Sequence, residues 1–292
     1  MSEEIFEQND FEEEQLKQVF SMRLLFDKNV SLPGAETVKH AAEGFLGNVK
    51  VDAVNNCNCI LCLDRTVGPE DGKKMPVMLV MSECTPIDNS EVNGFDRSQM
   101  WDCPEHDKVF EECPYSVTAV DMLAAGLSAQ DRAELEMDWL SLLLELFPNC
   151  RAVFFMNSRK LFKAEDIRAR TLPDQQMFTY FAVNVRFFRV QDTEDMLVDT
   201  LGMSTLGLPD LQYHFHGANP NHVVRHAYNL LGYILEFNCP FKQGDTIDGF
   251  DENGNFSESI QWKCSFENAL IQPVRSVIDI EMGELASGVR DR

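Results

Sequence analysis

Positive charge is what this sequence has least of. Its 292 residues carry 25 Lys and Arg against 48 Asp and Glu, a net charge of −23. A chain this acidic repels a phosphate backbone, and no run of Lys and Arg compensates, which excludes DNA or RNA as the main partner. An anionic membrane surface is excluded by the same repulsion. Long apolar runs are also missing. The densest, Trp139 to Phe147, has Glu145 inside it, whereas a membrane span needs about 20 apolar residues. The first fourteen residues hold seven carboxylates and no Lys or Arg, the reverse of the basic start of a secretory leader. These absences lead to the expectation of a cytoplasmic protein whose residues 1–15 form an acidic, frayed lead.

Catalytic signatures are absent too. No G-x-S-x-G, H-E-x-x-H or H-x-E with a distant C-x-x-C occurs, so the patterned routes to a serine nucleophile or a zinc hydrolase are closed. The nine cysteines contain one cluster, Cys57, Cys59 and Cys62, but no second C-x-x-C to complete a zinc site. In a strand, Cys57 and Cys59 would share a face and Cys62 would point away. These thiols therefore read as small core residues, reduced in a cytoplasmic chain. Cys84 follows a strand but has no marked basic neighbour to activate it. Gly202 and Gly207 are five apart with no Gly-Lys-Ser/Thr after them. They read as positions needing positive φ or close packing, not as a phosphate loop.

What is present is a regular alternation of strands and helices. Met22–Asp27, Val49–Ala53, the cysteine stretch and Met75–Met81 read as strands, with a helix over Pro33–Phe45, giving the order β-α-β-β-β. A helix over Arg97–Glu112, broken at Pro104, precedes a strand at Tyr115–Val120. Ala129–Phe147 is a helix capped by Ser128 and Asp131, with Leu135, Trp139, Leu142, Leu143 and Leu146 on one apolar face. A strand at Arg151–Met156 closes a β-α-β unit, which predicts two parallel strands. The polar segment 157–176, with a short helix at 164–170, is the expected boundary between an N-terminal half, 16–160, and a C-terminal half, 175–292. Phe178–Val190 reads as a long strand, followed by strands at Met196–Asp199 and Leu211–Phe215. A helix over Pro220–Phe237 is capped by Asn219 with Pro220 in its first turn. A turn-rich loop, 244–256, then leads to strands at Ile260–Phe266 and Arg275–Glu281. The expected class is α+β: mixed β-sheets with packed amphipathic helices, in two related-looking halves.

Four of the six histidines fall within thirteen residues: His214, His216, His222 and His226. The first two are spaced to share a strand face and the last two to share a helix face. Paired histidines at i, i+4 can hold one metal ion. At about 100° per residue, His222, His226, Asn229 and Tyr233 run along the border of an apolar stripe formed by Val223, Ala227, Leu230 and Ile234. Such a border can edge a pocket. It makes Asp199, Asp210, Gln212, Asn229 and Tyr233 the candidate ligand-binding residues and the four histidines the candidate metal ligands. The competing reading is that the histidines stack and hydrogen-bond with no ligand at all.

The runs Phe181–Phe188, Val198–Met203, Leu206–Gln212 and Gly244–Gly249 resemble a bacterial family known only as domain of unknown function 4261. Trp101, Tyr115–Met122 and the helix after Ser128 fit the same resemblance, which covers most of the chain after about residue 20. It implies an intracellular bacterial α+β protein with no settled activity, and it brings no catalytic residues with it.

Charge and the missing motifs lead to a non-enzymatic protein-binding module, immunity-like, that docks a basic protein partner. No cofactor is called for. The alternative is a metal-assisted hydrolase or small-ligand binder that uses the His214–His226 cluster and a divalent metal. Oligomeric state is not legible.

Overall fold

The computed structural model describes residues 19–54, 57–69, 72–88 and 91–288. The expected acidic lead, 1–15, lies outside them. The described chain divides into two compact units between Asn184 and Val185, and each is treated by itself.

The first unit is built on β1 (Ser21–Phe26), α1 (Ala35–Phe45), β2 (Val49–Val54), β3 (Asn58–Val67), β4 (Met75–Ser82), β5 (Thr85–Pro86), α2 (Gly94–Arg97), α3 (His106–Glu112), β6 (Tyr115–Met122), α4 (Ala129–Leu146), β7 (Ala152–Phe155), β8 (Lys160–Lys163), α5 (Ala164–Ala169) and α6 (Asp174–Phe181). Its sheet has the order β2-β3-β4-β6-β1-β7-β8, with β5 beside β6, and every neighbouring pair is antiparallel. The β-α-β reading of β6-α4-β7 is half right. Both strands run antiparallel to β1 and hence parallel to each other, but β1 lies between them. Strand pairing decided this, because β1 buries both of its faces and fills the central slot (Met22, Leu24 and Leu25 are at most 1% exposed).

Ser128 caps α4 as its sequence implies: its hydroxyl accepts from the Asp131 backbone N–H. The helix is buried far beyond the predicted face, however. It touches α1 and α6 as well, so Arg132, Ala133, Glu136 and Leu140 are also enclosed. Of the helix expected over 97–112, only the part after Pro104 forms, as α3; α2 ends at Arg97 and residues 98–105 are not helical. In β3, Cys59 is buried and Cys62 is half-buried on the opposite face, while Cys57 is exposed before the strand begins. All nine cysteines are free thiols. The short helix expected at 164–170 is α5, and β8 precedes it in the same polar segment. One expected feature is corrected: the start of the expected strand 178–190 is α6. Phe178 and Phe181, one helical turn apart, are both buried, so tertiary packing overrides their β-propensity.

The second unit contains β9 (Asn184–Arg189, whose first residue belongs to the first unit), β10 (Met196–Leu201), β11 (Asp210–Phe215), α7 (Pro220–Glu236), β12 (Thr246–Phe250), β13 (Phe256–Asn268) and β14 (Ser276–Glu281). The sheet order is β12-β13-β14-β11-β10-β9. It is mixed: β11 and β14 are parallel, and β10–β11, β12–β13 and β13–β14 are antiparallel. The segment 244–256, expected to be loop, holds β12 of a hairpin. A bulge between Asp248 and Gly249 hides the two-residue alternation. The architecture is α+β with two sheets. The sheets differ in strand number and order, so their topology gives no support to two related halves. Among the described residues no helix is long and apolar enough to cross a membrane.

Candidate functional site

Helix α7 packs on β10 and β11. Along β11 the side chains alternate, so Leu211, Tyr213 and Phe215 face α7, and all are fully buried. Tyr213 reaches His226, its hydroxyl 2.9 Å from Nδ1. The other ring nitrogen, Nε2, is 2.9 Å from the Asp248 carbonyl oxygen. A carbonyl only accepts, so Nε2 carries the proton and Tyr213 donates to Nδ1. Burial holds the His226 pKa below the ordinary histidine value, in keeping with this neutral tautomer. The ring is walled by Phe256 at 5.4 Å and Trp262 at 5.0 Å between centroids.

The border of α7 does edge a pocket. His226, Asn229, Leu230 and Tyr233 form one side of a cleft of about 370 Å³, and Phe241, Thr246, Ile247, Asp248 and Phe256 form the other. Of the sequence candidates, the structure brings His226, Asn229 and Tyr233 together here. Tyr233 and Phe256 are about half exposed, 45% and 50%, so the cleft opens onto an aromatic surface. Phe237 extends it, 52% exposed and 4.7 Å from the Tyr233 ring. Phe241, Asp248 and Phe256 escaped the sequence reading. The only signal was Ile247 and Gly249 alternating with polar residues in a stretch otherwise rich in turn formers.

The remaining histidines go elsewhere. His222 shares the His226 side of α7, as the i, i+4 spacing requires, but its ring lies edge-on to Phe250, 5.8 Å away, and over Gly254, where an added Cβ would come within 2.6 Å of it. His214 and His216 lie near a different pair of side chains. His214 Nε2 is 3.7 Å from Asp195, and His216 Nδ1 is 3.0 Å from the Ser287 hydroxyl, which donates to Asp195 at 2.8 Å. The four histidines thus form no single ligand set. Among the described residues no three His, Cys, Asp or Glu side chains are grouped to hold a metal ion.

Asp199, Asp210 and Gln212 are on the sheet face opposite to α7. They belong to a buried polar knot. Arg186 grips both Asp199 oxygens, at 2.8 and 2.5 Å. Arg275 bridges Asp199 at 2.6 Å and Asp210 at 3.2 Å. Asp210 also accepts from the Thr200 hydroxyl and from the Gly202 and Met203 amides. Burial pushes its carboxyl above the ordinary range, and Arg275 together with these donors opposes that push. The knot fixes the turn 202–207, whose two glycines have φ of 145° and 73°, conformations that a side chain would strain. Gln212 donates to Glu267 and Asp279 and accepts from the Leu270 amide. These groups are spent on the fold.

The first unit has a larger polar cleft, about 690 Å³, between α3, α5 and the 148–151 loop. Its charges are largely used internally. Lys163 pairs with Glu105 and Lys108 with Glu112, while Arg168 donates to the Leu144 and Phe147 carbonyls at the end of α4. The Cys150 thiol on its wall is pushed by burial to about 12, which keeps it protonated and unreactive at neutral pH. Cys84 is itself buried.

No curated protein and no solved structure matches the chain. Residues 199–281 match the model of the family described as Domain of unknown function (DUF4261). The resemblance read from the motifs is therefore shown over the segment that carries most of the polar knot and the whole aromatic cleft.

Proposed function

We propose that the protein is a non-enzymatic binding module of the bacterial cytoplasm, and that it docks a basic segment of a partner protein at the aromatic cleft of its second unit. The observation that carries this reading is the pairing of exposed aromatics with one sign of charge. Residues 229–258, which build the cleft apart from His226, contain six carboxylates and one cation, Lys242. Tyr233, Phe237 and Phe256 lie open among them. Aromatic side chains of this kind anchor protein interfaces, and a field of one sign speeds encounter with a partner of the other sign and rejects like-charged ones. The net charge of −23 adds to the same field. His226 supports the reading by locking the cleft wall through both ring nitrogens.

The test is a titration of the full chain with an alternating Lys/Leu peptide and its Glu/Leu counterpart at two salt concentrations. The Lys/Leu peptide is expected to bind, more weakly at the higher salt, and to lose at least about tenfold affinity with Tyr233→Ala and Phe256→Ala combined. Equal binding by this double variant would overturn the proposal, since charge alone would then account for the association. So would no binding of the Lys/Leu peptide.

A further inference from the structure

We propose that the outer edge of β2, in the first unit, is an interface for a second copy of this chain, the two β2 strands pairing antiparallel about a two-fold axis at Val51. This surface is independent of the docking reading.

β2 is the last strand on one side of its sheet and pairs with β3. Among the described residues no other strand lies beside it, and no backbone group of residues 49–52 hydrogen-bonds outside the ladder with β3. Val49 is buried and α1 packs on the strand, so β2 is anchored in its own unit. An edge with unpaired N–H and C=O groups is a template for another strand, and proteins commonly guard such edges with charge.

The charges on β2 are of both signs. Lys50 and Asp52 are two apart and share one face of the strand. They lie 3.1 Å apart, with 76% and 46% of their side chains exposed. A symmetric antiparallel pair places its two-fold axis at one residue, and that choice fixes every contact across it. With the axis at Lys50, two lysines oppose each other. With the axis at Asp52, two aspartates do. With the axis at Val51, Lys50 of each copy lies directly opposite Asp52 of the other. Unlike charges directly opposed stabilise a strand pair and like charges destabilise it, so charge selects the register centred on Val51. The same complementarity identifies the occupant. An edge guarded by one sign of charge repels its own image in every register, whereas this edge matches its image in one.

Sedimentation equilibrium of the full chain tests the interface. Two copies of net charge −23 repel each other, so the measurement belongs at about 0.3 M salt, where the Debye length has fallen to about 6 Å. A monomer–dimer equilibrium with Kd of about 0.1 mM is expected, in keeping with a pairing smaller than a standard interface of about 1,200 Å². Lys50→Asp and Asp52→Lys, each alone, oppose like charges in both cross-axis pairs and should weaken self-association by about tenfold. An equimolar mixture of the two variants restores unlike charges in both pairs and should dimerise as the parent protein does. The double variant Lys50→Asp/Asp52→Lys should do so by itself. A parent protein that stays monomeric to about 1 mM would overturn the proposal. A dimer that both single reversals leave intact would overturn it too, because it would form through another surface. So would single reversals whose mixture stays monomeric, because their loss would then come from something other than pairing across the axis.

Discussion

Glu136 offers the sharpest test of the packing in the first unit. It is on α4 with 0% exposure, and neither carboxyl oxygen has a hydrogen-bond partner among the described residues. Arg132, one turn earlier, comes only within 4.0 Å of it. That guanidinium is committed to Asp121 on β6, at 2.8 and 2.6 Å. Burial first, and the Asp121 charge second, push the Glu136 carboxyl well above its ordinary range. The folded group therefore holds its proton at pH values where the unfolded chain, titrating near 4.3, has lost it. The sign follows from proton linkage. The unfolded state binds fewer protons in this window, so stability is complete below the unfolded value and declines as pH rises toward the folded value. The slope is about 1.4 kcal/mol per pH unit. Glu136→Gln keeps the shape and removes the titration. Urea unfolding, followed by Trp fluorescence, should show the variant gaining on the parent protein as pH rises from 5, by up to about 1.4 kcal/mol per pH unit while the folded carboxyl keeps its proton. A constant difference across that range would refute the reasoning, because it would mean that Glu136 is ionised and compensated in the folded chain.

Other outcomes follow from the second unit. Arg275→Leu strips both Asp199 and Asp210 of a partner inside a buried knot and should cost about 3–5 kcal/mol in chemical denaturation. Arg275→Lys should recover little, because a single ammonium cannot span two carboxylates as the guanidinium does. Tyr213→Phe leaves Nδ1 of His226 without a donor and should cost about 1–3 kcal/mol. Because burial depresses the His226 pKa, the unfolded chain takes up the proton first, so stability should fall as pH drops below about 6.5. That fall should be reduced in His226→Leu, measured as unfolding free energy against pH. Gly249→Ala should be destabilising by about 1–3 kcal/mol, since its Cβ would lie 2.6 Å from the Trp262 ring. A blunted Trp262 emission shift on peptide titration would report the same displacement.

Much of the fold was legible because local signals agreed with packing. Ser128 and Asn219 cap the two long helices where their side chains imply. Gly202 and Gly207 have the positive φ expected of them. The misreadings share a cause. Phe178 and Phe181 are as compatible with a strand as with a helix turn, and only their burial against the rest of the first unit chooses between them. β12 is obscured by a bulge, which breaks the alternation that identifies a strand.

The candidate site divides along the same line. Helical periodicity alone placed His226, Asn229 and Tyr233 on one border of α7, because 3.6 residues per turn fixes which side chains share an edge. What lies opposite that border is a matter of chain return over long sequence separation. Phe241, Asp248 and Phe256 come from a connection and a hairpin whose docking no local pattern encodes. Strand alternation likewise separated Tyr213 from Gln212, but only the sheet pairing revealed that Asp199, Asp210 and Gln212 are turned away from the cleft. The acidity, the missing catalytic motifs and the long helices were properties of the sequence by itself. The division of four neighbouring histidines among three environments belonged to the tertiary structure, because adjacency along a chain does not survive the turn between a strand and a helix.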